Sequence, residues 1–327
     1  MEWQVPTLAD VHEARRRIAP HLRETPLFRY AGLDDVLGAE VHVKHENHQP
    51  VGAFKVRGGV NLVSRLSGEE RERGVITAST GYHGQSIAFA ARLFDMPATI
   101  CVPEAANPVK VASMRGLGAR LVFHGRDFDD AREHCEALAE TEGYRYIHSG
   151  NEPLLIAGVA TYTVEILEQE PEIEAIIVPI GGGSGAAGAC IVAKAVDPAI
   201  RVIGVQSEAA PAAHRSWRLR ELVEDRMETF AEGLATRTAF ELPQRILWEL
   251  LDDFVLVSDD QIRAAQARMI EITGNLVEAA GAAPLAAALQ LRAQLAGKRV
   301  AVIVSGGNAS LEQLLEVLAR PWQPNIV

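Results

Sequence analysis

Lys55 stands alone among small and apolar neighbours in the stretch Val51-Gly52-Ala53-Phe54-Lys55-Val56-Arg57-Gly58-Gly59. An amine attacks an aldehyde once its surroundings disfavour the ammonium form, and walls such as Ala53, Phe54 and Val56 do so by excluding water. The competing reading of this stretch alone is a surface lysine at a helix start. A second candidate is Gly181-Gly182-Gly183-Ser184-Gly185, which follows a continuous apolar run. Glycines let backbone N–H groups close round an anion, and a helix beginning at Ala186 would point its positive end there, so a phosphate monoester fits. The run lacks the lysine of a nucleotide P-loop, and its glycines are contiguous where a dinucleotide fingerprint spaces them. Its plain structural alternative is a tight turn. Ser305-Gly306-Gly307-Asn308 has the same form, and the Ser305 hydroxyl can donate to or accept from a ring nitrogen. Ser79-Thr80-Gly81-Tyr82-His83-Gly84-Gln85 adds N–H donors at a helix start, suited to a carboxylate, with His83 either touching the substrate or bracing the loop.

The elements that must hold these residues alternate. Thr7 to Leu22 has helical spacing, with Thr7 as cap and Arg15, Arg16 and Arg17 on its polar side. Glu40 to Glu46 alternates like a strand, which puts His42 and His45 on opposite faces and makes them, with His48, a poor metal cluster. From Gly74 the pattern is strand, turn and helix: strands at 75–78, 98–103 and 120–124, helices at 86–94, 107–116 and 127–142. A helix at 154–169, a strand at 175–180, a helix at 186–196 and strands at 201–206 and 299–304 continue it, and 207–226 is the most loop-like part. Such alternation means right-handed βαβ units, so the expected class is α/β with two open, mostly parallel sheets flanked by helices. The expected division is a large domain, 1–73 with 149–327, and a small mobile domain, 74–148.

Composition narrows the function classes. The 327 residues are 48% hydrophobic and 23% charged, ordinary values for a folded chain. The 32 basic and 43 acidic residues give a net charge of −11, with the basic ones scattered, which argues against nucleic acid. Cys101, Cys135 and Cys190 form no C-x-x-C pair, so neither a disulfide framework nor a zinc site is expected. Met1-Glu2-Trp3-Gln4 lacks a secretory pattern and no run is apolar enough to cross a membrane, so no membrane is expected and the location reads as cytoplasmic.

Taken together, Glu46-Asn47, Ala53 to Gly59, Ser79 to Gln85, Gly181 to Gly185 and Ser305 to Asn308 resemble the fold-type II pyridoxal-phosphate enzymes, in the branch of threonine/serine dehydratases and serine racemase. The likeness runs from about Thr25 to Asn308. It implies pyridoxal 5'-phosphate as cofactor, with Lys55 holding its aldehyde covalently and then acting as base at the substrate Cα. It also implies Phe54 beside the cofactor, Gly181, Gly182, Gly183, Ser184 and Gly185 as the phosphate cradle, Ser305 at the ring nitrogen, and Glu278 near the ring, in a segment that includes Gly281. Ser79, Thr80, Gly81 and His83 match the turn that takes the substrate. A neutral serine at the ring nitrogen makes a milder electron sink, which fits loss of a β-substituent. The activity implied is β-elimination on a serine- or threonine-like β-hydroxy amino acid, giving a 2-keto acid and ammonia. The alternative is a racemase using Lys55 and an opposite-face hydroxyl. A homodimer is implied as well.

The chain departs from that pattern in places. Tyr82 stands where the family has an Asn that reaches the cofactor's 3'-oxygen; its phenol could bind the cofactor at the same oxygen, stack on the ring or swing away, and being longer it is expected to overshoot, lying over the ring or along the substrate. Thr80 stands where the racemase carries its opposite-face acid/base serine; its hydroxyl could serve as that catalytic group, as could that of Tyr82, although branching stiffens it and alcohols are weak bases. Gln206 and Ala212 replace carboxylates of the racemase metal site, so no metal is expected. The end soon after Asn308 leaves no room for the regulatory domain of biosynthetic threonine dehydratases.

Overall fold

A computed structural model describes residues 4–319; residues 1–3 and 320–327, which fall within the expected large domain, lie outside the described residues. Its strands, in chain order, are β1 (Leu27–Arg29), β2 (Glu40–His45), β3 (Val75–Ala78), β4 (Ala98–Val102) and β5 (Arg120–Phe123), then β6 (Arg145–Tyr146), β7 (Ala175–Pro179), β8 (Arg201–Ser207), β9 (Asp253–Val257) and β10 (Arg299–Val304). They form a six-stranded sheet ordered β1-β2-β10-β7-β8-β9 and a four-stranded sheet ordered β5-β4-β3-β6. Every pairing is parallel except β1 with β2. The α/β class with two mostly parallel sheets is therefore as expected.

Parallel sheets are covered by helices on both faces, and their strands are accordingly apolar throughout. Ile176, Val178, Ala301 and Ile303 enter one core with the helices Pro153–Gln169 and Ser184–Val196. Ile177, Val302 and Val304 enter the other, against Ala282, Ala286 and their neighbours in the helix Ala279–Gln290. Smaller clusters surround the four-stranded sheet. Ligands of such sheets gather beyond the carboxyl ends of the strands. The turns at 79–81, 181–183 and 305–308 follow the ends of β3, β7 and β10.

Several boundaries differ from the sequence reading, each for a local reason. The first helix is Leu8–Ile18, opened by a reciprocal Thr7–Asp10 capping box and closed before Pro20, whose ring lacks the N–H a further turn needs; Leu22 is buried but outside it. The helix expected from Ser86 begins at Tyr82, because the Ser79 hydroxyl accepts from the N–H groups of Gly81 (3.0 Å) and Gly84 (2.8 Å) and so satisfies its first turn. The helix expected from Ala186 begins at Ser184, after Gly183 takes a left-handed φ of 85°. The stretch expected to be loop contains the helix Ala212–Leu219, anchored where Trp217 donates its indole N–H to the Leu247 carbonyl at 3.0 Å. Between Gly143 and His148, β6 adds a short strand beside β3.

Candidate active site

Lys55 opens the helix Lys55–Val63, and its segment is stitched to the end of β10. The Phe54 N–H donates to the Ser305 carbonyl at 3.1 Å, and Ala53 bridges Gly306. Two residues on, Arg57 is wholly buried and reaches the Glu46 and Glu165 carboxylates at 2.7 and 2.6 Å. Glu165 also takes the Lys44 ammonium at 2.7 Å, while Thr25 donates its hydroxyl to Glu46 at 2.6 Å. Burial opposes ionisation of Glu165, yet Arg57 and Lys44 outweigh it and hold the carboxyl below its usual range.

The Lys55 amine donates to the Ser184 hydroxyl at 2.9 Å and to the Ser149 carbonyl at 3.3 Å, and it lies 5.5 Å from the centre of the Phe54 ring. Burial pulls its pKa down to about 8. The helix-start reading was thus right about position, while the side chain is half-buried and not fully exposed. A lysine in this setting spends a useful fraction of time as free amine near neutral pH.

Ser184 belongs to the glycine turn, so the structure brings these two candidates into contact. A Cβ on Gly181 would collide with the Gly233 carbonyl, and one on Gly182 with the Phe240 ring. Gly185 is held differently: its carbonyl accepts from the Tyr162 hydroxyl at 2.8 Å, and the Tyr162 ring meets Phe54 edge-on at 6.2 Å. The turn leads directly into the helix Ser184–Val196, whose first N–H groups have no intrahelical partner.

In the turn after β3, Ser79 spends its hydroxyl on the backbone, whereas Thr80 is exposed and no hydrogen bond among the described residues joins it to Lys55. His83 braces the turn. The Thr77 hydroxyl gives its proton to the Ile147 carbonyl at 2.7 Å, so His83 Nε2 donates to Thr77 Oγ1 at 2.8 Å, and burial holds the imidazole neutral with a pKa of about 3. Among the described residues, no hydrogen bond takes up the N–H groups of Tyr82 or His83. The Tyr82 hydroxyl donates to Glu278 Oε2 at 2.7 Å and accepts from the Asn308 N–H at 2.9 Å. Burial raises the Glu278 pKa to about 7, against the opposing pull of Lys110 and the Tyr82 hydrogen bond.

Residues that the sequence reading did not single out complete the surroundings. Ser149 acts through its carbonyl, which no side-chain pattern can reveal. Lys110, in the helix Pro108–Gly116, pairs with Glu232 and lies 5.8 Å from the Tyr82 ring centre. A cavity of about 460 Å³ adjoins these groups, lined by Gly52, Gln85, Lys110, Leu276 and Asn308 among others; it borders Tyr82's partner Asn308 and does not include Lys55.

The model of the family described as pyridoxal-phosphate dependent enzyme matches residues 18–306. The chain belongs to the pyridoxal-phosphate dependent enzymes. It is 36% identical over 317 residues to the L-threonine ammonia-lyase of Thermotoga maritima, covering 96% of this chain and 78% of that protein. It is also 36% identical over 316 residues to the L-threo-3-hydroxyaspartate ammonia-lyase of Saccharomyces cerevisiae, covering 96% and 97%. The solved structure of maize serine racemase superposes with a TM-score of 0.91 at 32% identity, covering 97% and 98%. The fold-type II resemblance read in the motifs therefore holds, with relatives on both the lyase and the racemase side. The residues present also fit this family's cofactor: a half-buried amine of lowered pKa suits an aldehyde, and a turn that only glycines can occupy at a helix N-terminus suits a phosphate.

Proposed function

We propose that this pyridoxal-phosphate dependent enzyme is an ammonia-lyase that removes the β-hydroxyl from a serine- or threonine-like amino acid and yields a 2-keto acid and ammonia. The observation that carries this reading is the Lys55 amine, lowered to about 8 and in contact with Ser184 at the head of the glycine turn. When bound, pyridoxal phosphate supplies an electron sink for the charge left at Cα on proton loss. Lys55 would hold the cofactor at its aldehyde carbon, and its amine, once free, would accept the substrate's Cα proton. The N–H groups at the start of the helix Ser184–Val196 would hold the phosphate, and Ser305 would offer the ring nitrogen a hydroxyl, not a carboxylate. The free N–H groups of Tyr82 and His83 orient the substrate carboxylate. The β-hydroxyl and the Cα proton leave together as water, and hydrolysis of the resulting enamine by a second water gives the keto acid and frees ammonia.

The two similar ammonia-lyases support elimination. A racemase reading draws on the likeness to maize serine racemase and asks Thr80 to deliver a proton on the face opposite Lys55. Incubation of the loaded enzyme with L-serine, L-threonine and L-threo-3-hydroxyaspartate in deuterated water separates them. Keto acid and ammonia in equal amounts are expected from at least one substrate. Formation of the enantiomer, deuterated at Cα, without keto acid would overturn the reading.

Residues 74–148 make up the small mobile domain in this scheme, and the enzyme works as a cytoplasmic homodimer. No helix among the described residues is long and apolar enough to cross a membrane, and the three cysteines are free and buried. Leu311, Leu315 and Leu318 present an exposed apolar stripe that a second copy would cover, and sedimentation equilibrium reads the state directly.

A further inference from the structure

Tyr82 stands at the first position of a helix that follows β3 of the four-stranded sheet, yet both partners of its hydroxyl belong to the other side of the molecule. Glu278 occupies the position just before the helix Ala279–Gln290 and donates its own N–H to the Gly306 carbonyl at 3.1 Å. Asn308 follows β10 and donates its side-chain amide to the Val51 carbonyl at 3.0 Å, four residues before Lys55. The socket is shaped for the phenol: a Cβ on Gly306 would lie 2.7 Å from the Tyr82 oxygen and 2.8 Å from Glu278 Oε1, so any side chain there would close it. One small-sheet side chain is thus plugged into the turn that is stitched to the Lys55 segment.

We propose that Tyr82 is a positioning residue: seated between Glu278 and the Asn308 N–H, it latches the turn Ser79–His83 to the Lys55 segment, and its release opens the site for substrate entry. The inference rests on the reading that this turn receives the substrate carboxylate. With the phenol seated, the free N–H groups of Tyr82 and His83 keep one fixed geometry. Release of the phenol breaks two of the hydrogen bonds that join residues 74–148 to the remainder, beside the Lys110–Glu232 pair; others remain, among them the Ser86 hydroxyl on the Lys55 carbonyl at 2.7 Å and the Arg237–Asp129 pair at 2.8 Å. The phenol suits this task because one oxygen both donates and accepts, so a single rotation commits or frees both partners.

The test is amide hydrogen exchange on the full chain, with and without pyridoxal phosphate, alongside steady-state kinetics. Tyr82→Phe keeps the ring and removes only the hydroxyl, so the fold should survive. Expected are an increase of about tenfold or more in exchange at the Asn308 amide and in the turn 79–84, with the helix Pro153–Gln169 unchanged. The KM for the amino acid should rise more than kcat falls. Glu278→Gln retains an acceptor for the phenol and should keep the Asn308 protection. Unchanged exchange at Asn308 in Tyr82→Phe, or equal loss throughout the chain, would overturn the latch. This exchange increase in Tyr82→Phe, together with wild-type protein that turns over no hydroxy amino acid, would leave the latch standing and sink the ammonia-lyase reading instead.

Discussion

Two polar clusters share the neighbourhood of the Lys55 segment, one fully buried and one open to solvent at one end, and they are built on opposite principles. In the first, Arg57 and Lys44 meet Glu46 and Glu165, the charges cancel, and all four side chains are 3% exposed or less. All come from the six-stranded sheet and helices packed with it. In the second, Tyr82 and Lys110 come from the four-stranded side, and Glu278 and Glu232 from the other. Here the pairing is looser: burial raises Glu278 to about 7, and Glu232 keeps a side-chain exposure of 39%. A fully paired buried cluster is costly to disturb from any side, so the first fixes the helix that begins at Lys55. A cluster shared across two sheets, with one carboxyl balanced near neutrality, can be undone at modest cost. The contrast fits a fixed Lys55 and, in the proposed scheme, a movable turn at Ser79–His83.

The contrast is broken most severely by Arg57→Ala, which leaves Glu46 and Glu165 buried without their fork. A loss of about 3–5 kcal/mol is expected in urea unfolding. An unchanged midpoint would mean that the cluster anchors nothing. Next comes the pH dependence of Glu278. Its folded value of about 7 lies above the ordinary 4.5, so the neutral form is favoured; its contribution is full below about pH 4.5 and is lost as pH rises through about 7. The groups facing it are Lys110, which opposes the shift with the Tyr82 hydrogen bond, and Glu232, which assists it. Glu278→Gln should flatten the stability profile between those limits, by an amount on the order of 3 kcal/mol at most. A profile identical to wild type would contradict the raised value. The smallest effect is expected from Lys110→Met: loss of a partly exposed ion pair costs about 1 kcal/mol or less, read from the thermal midpoint. A loss as large as that of Arg57→Ala would erase the distinction between the clusters.

Much of this arrangement was legible in the chain, because glycine runs after apolar strands and a lysine among small residues leave a local mark. Lys55, the turn at Gly181 and the turn at Ser305 were found that way, and the first two meet in space. The start of the Tyr82 helix was not found, since the capping hydroxyl of Ser79 lies three residues upstream in what reads as a turn. The Tyr82 phenol was expected over the ring or along the substrate; its hydroxyl meets Glu278 and the Asn308 N–H, partners that local sequence could not announce because Glu278 is 196 residues away in the chain. The region between Ser207 and Arg299 was the least legible. The helix Ala212–Leu219 depends on partners such as the Leu247 carbonyl, and β9 pairs with β8 only once the sheet exists. Arg57 was quoted beside Lys55 with no role, since nothing near it in sequence announces Glu165.

The central claim is that Lys55, and no other lysine, carries the cofactor. Borohydride reduction of the pyridoxal-phosphate-loaded enzyme, followed by peptide mapping, tests it directly. The account predicts a stable cofactor adduct on the peptide containing Lys55 and none on those containing Lys44 or Lys110, whose amines are held by Glu165 and Glu232. An adduct on either of those lysines, with Lys55 unmodified, would contradict it.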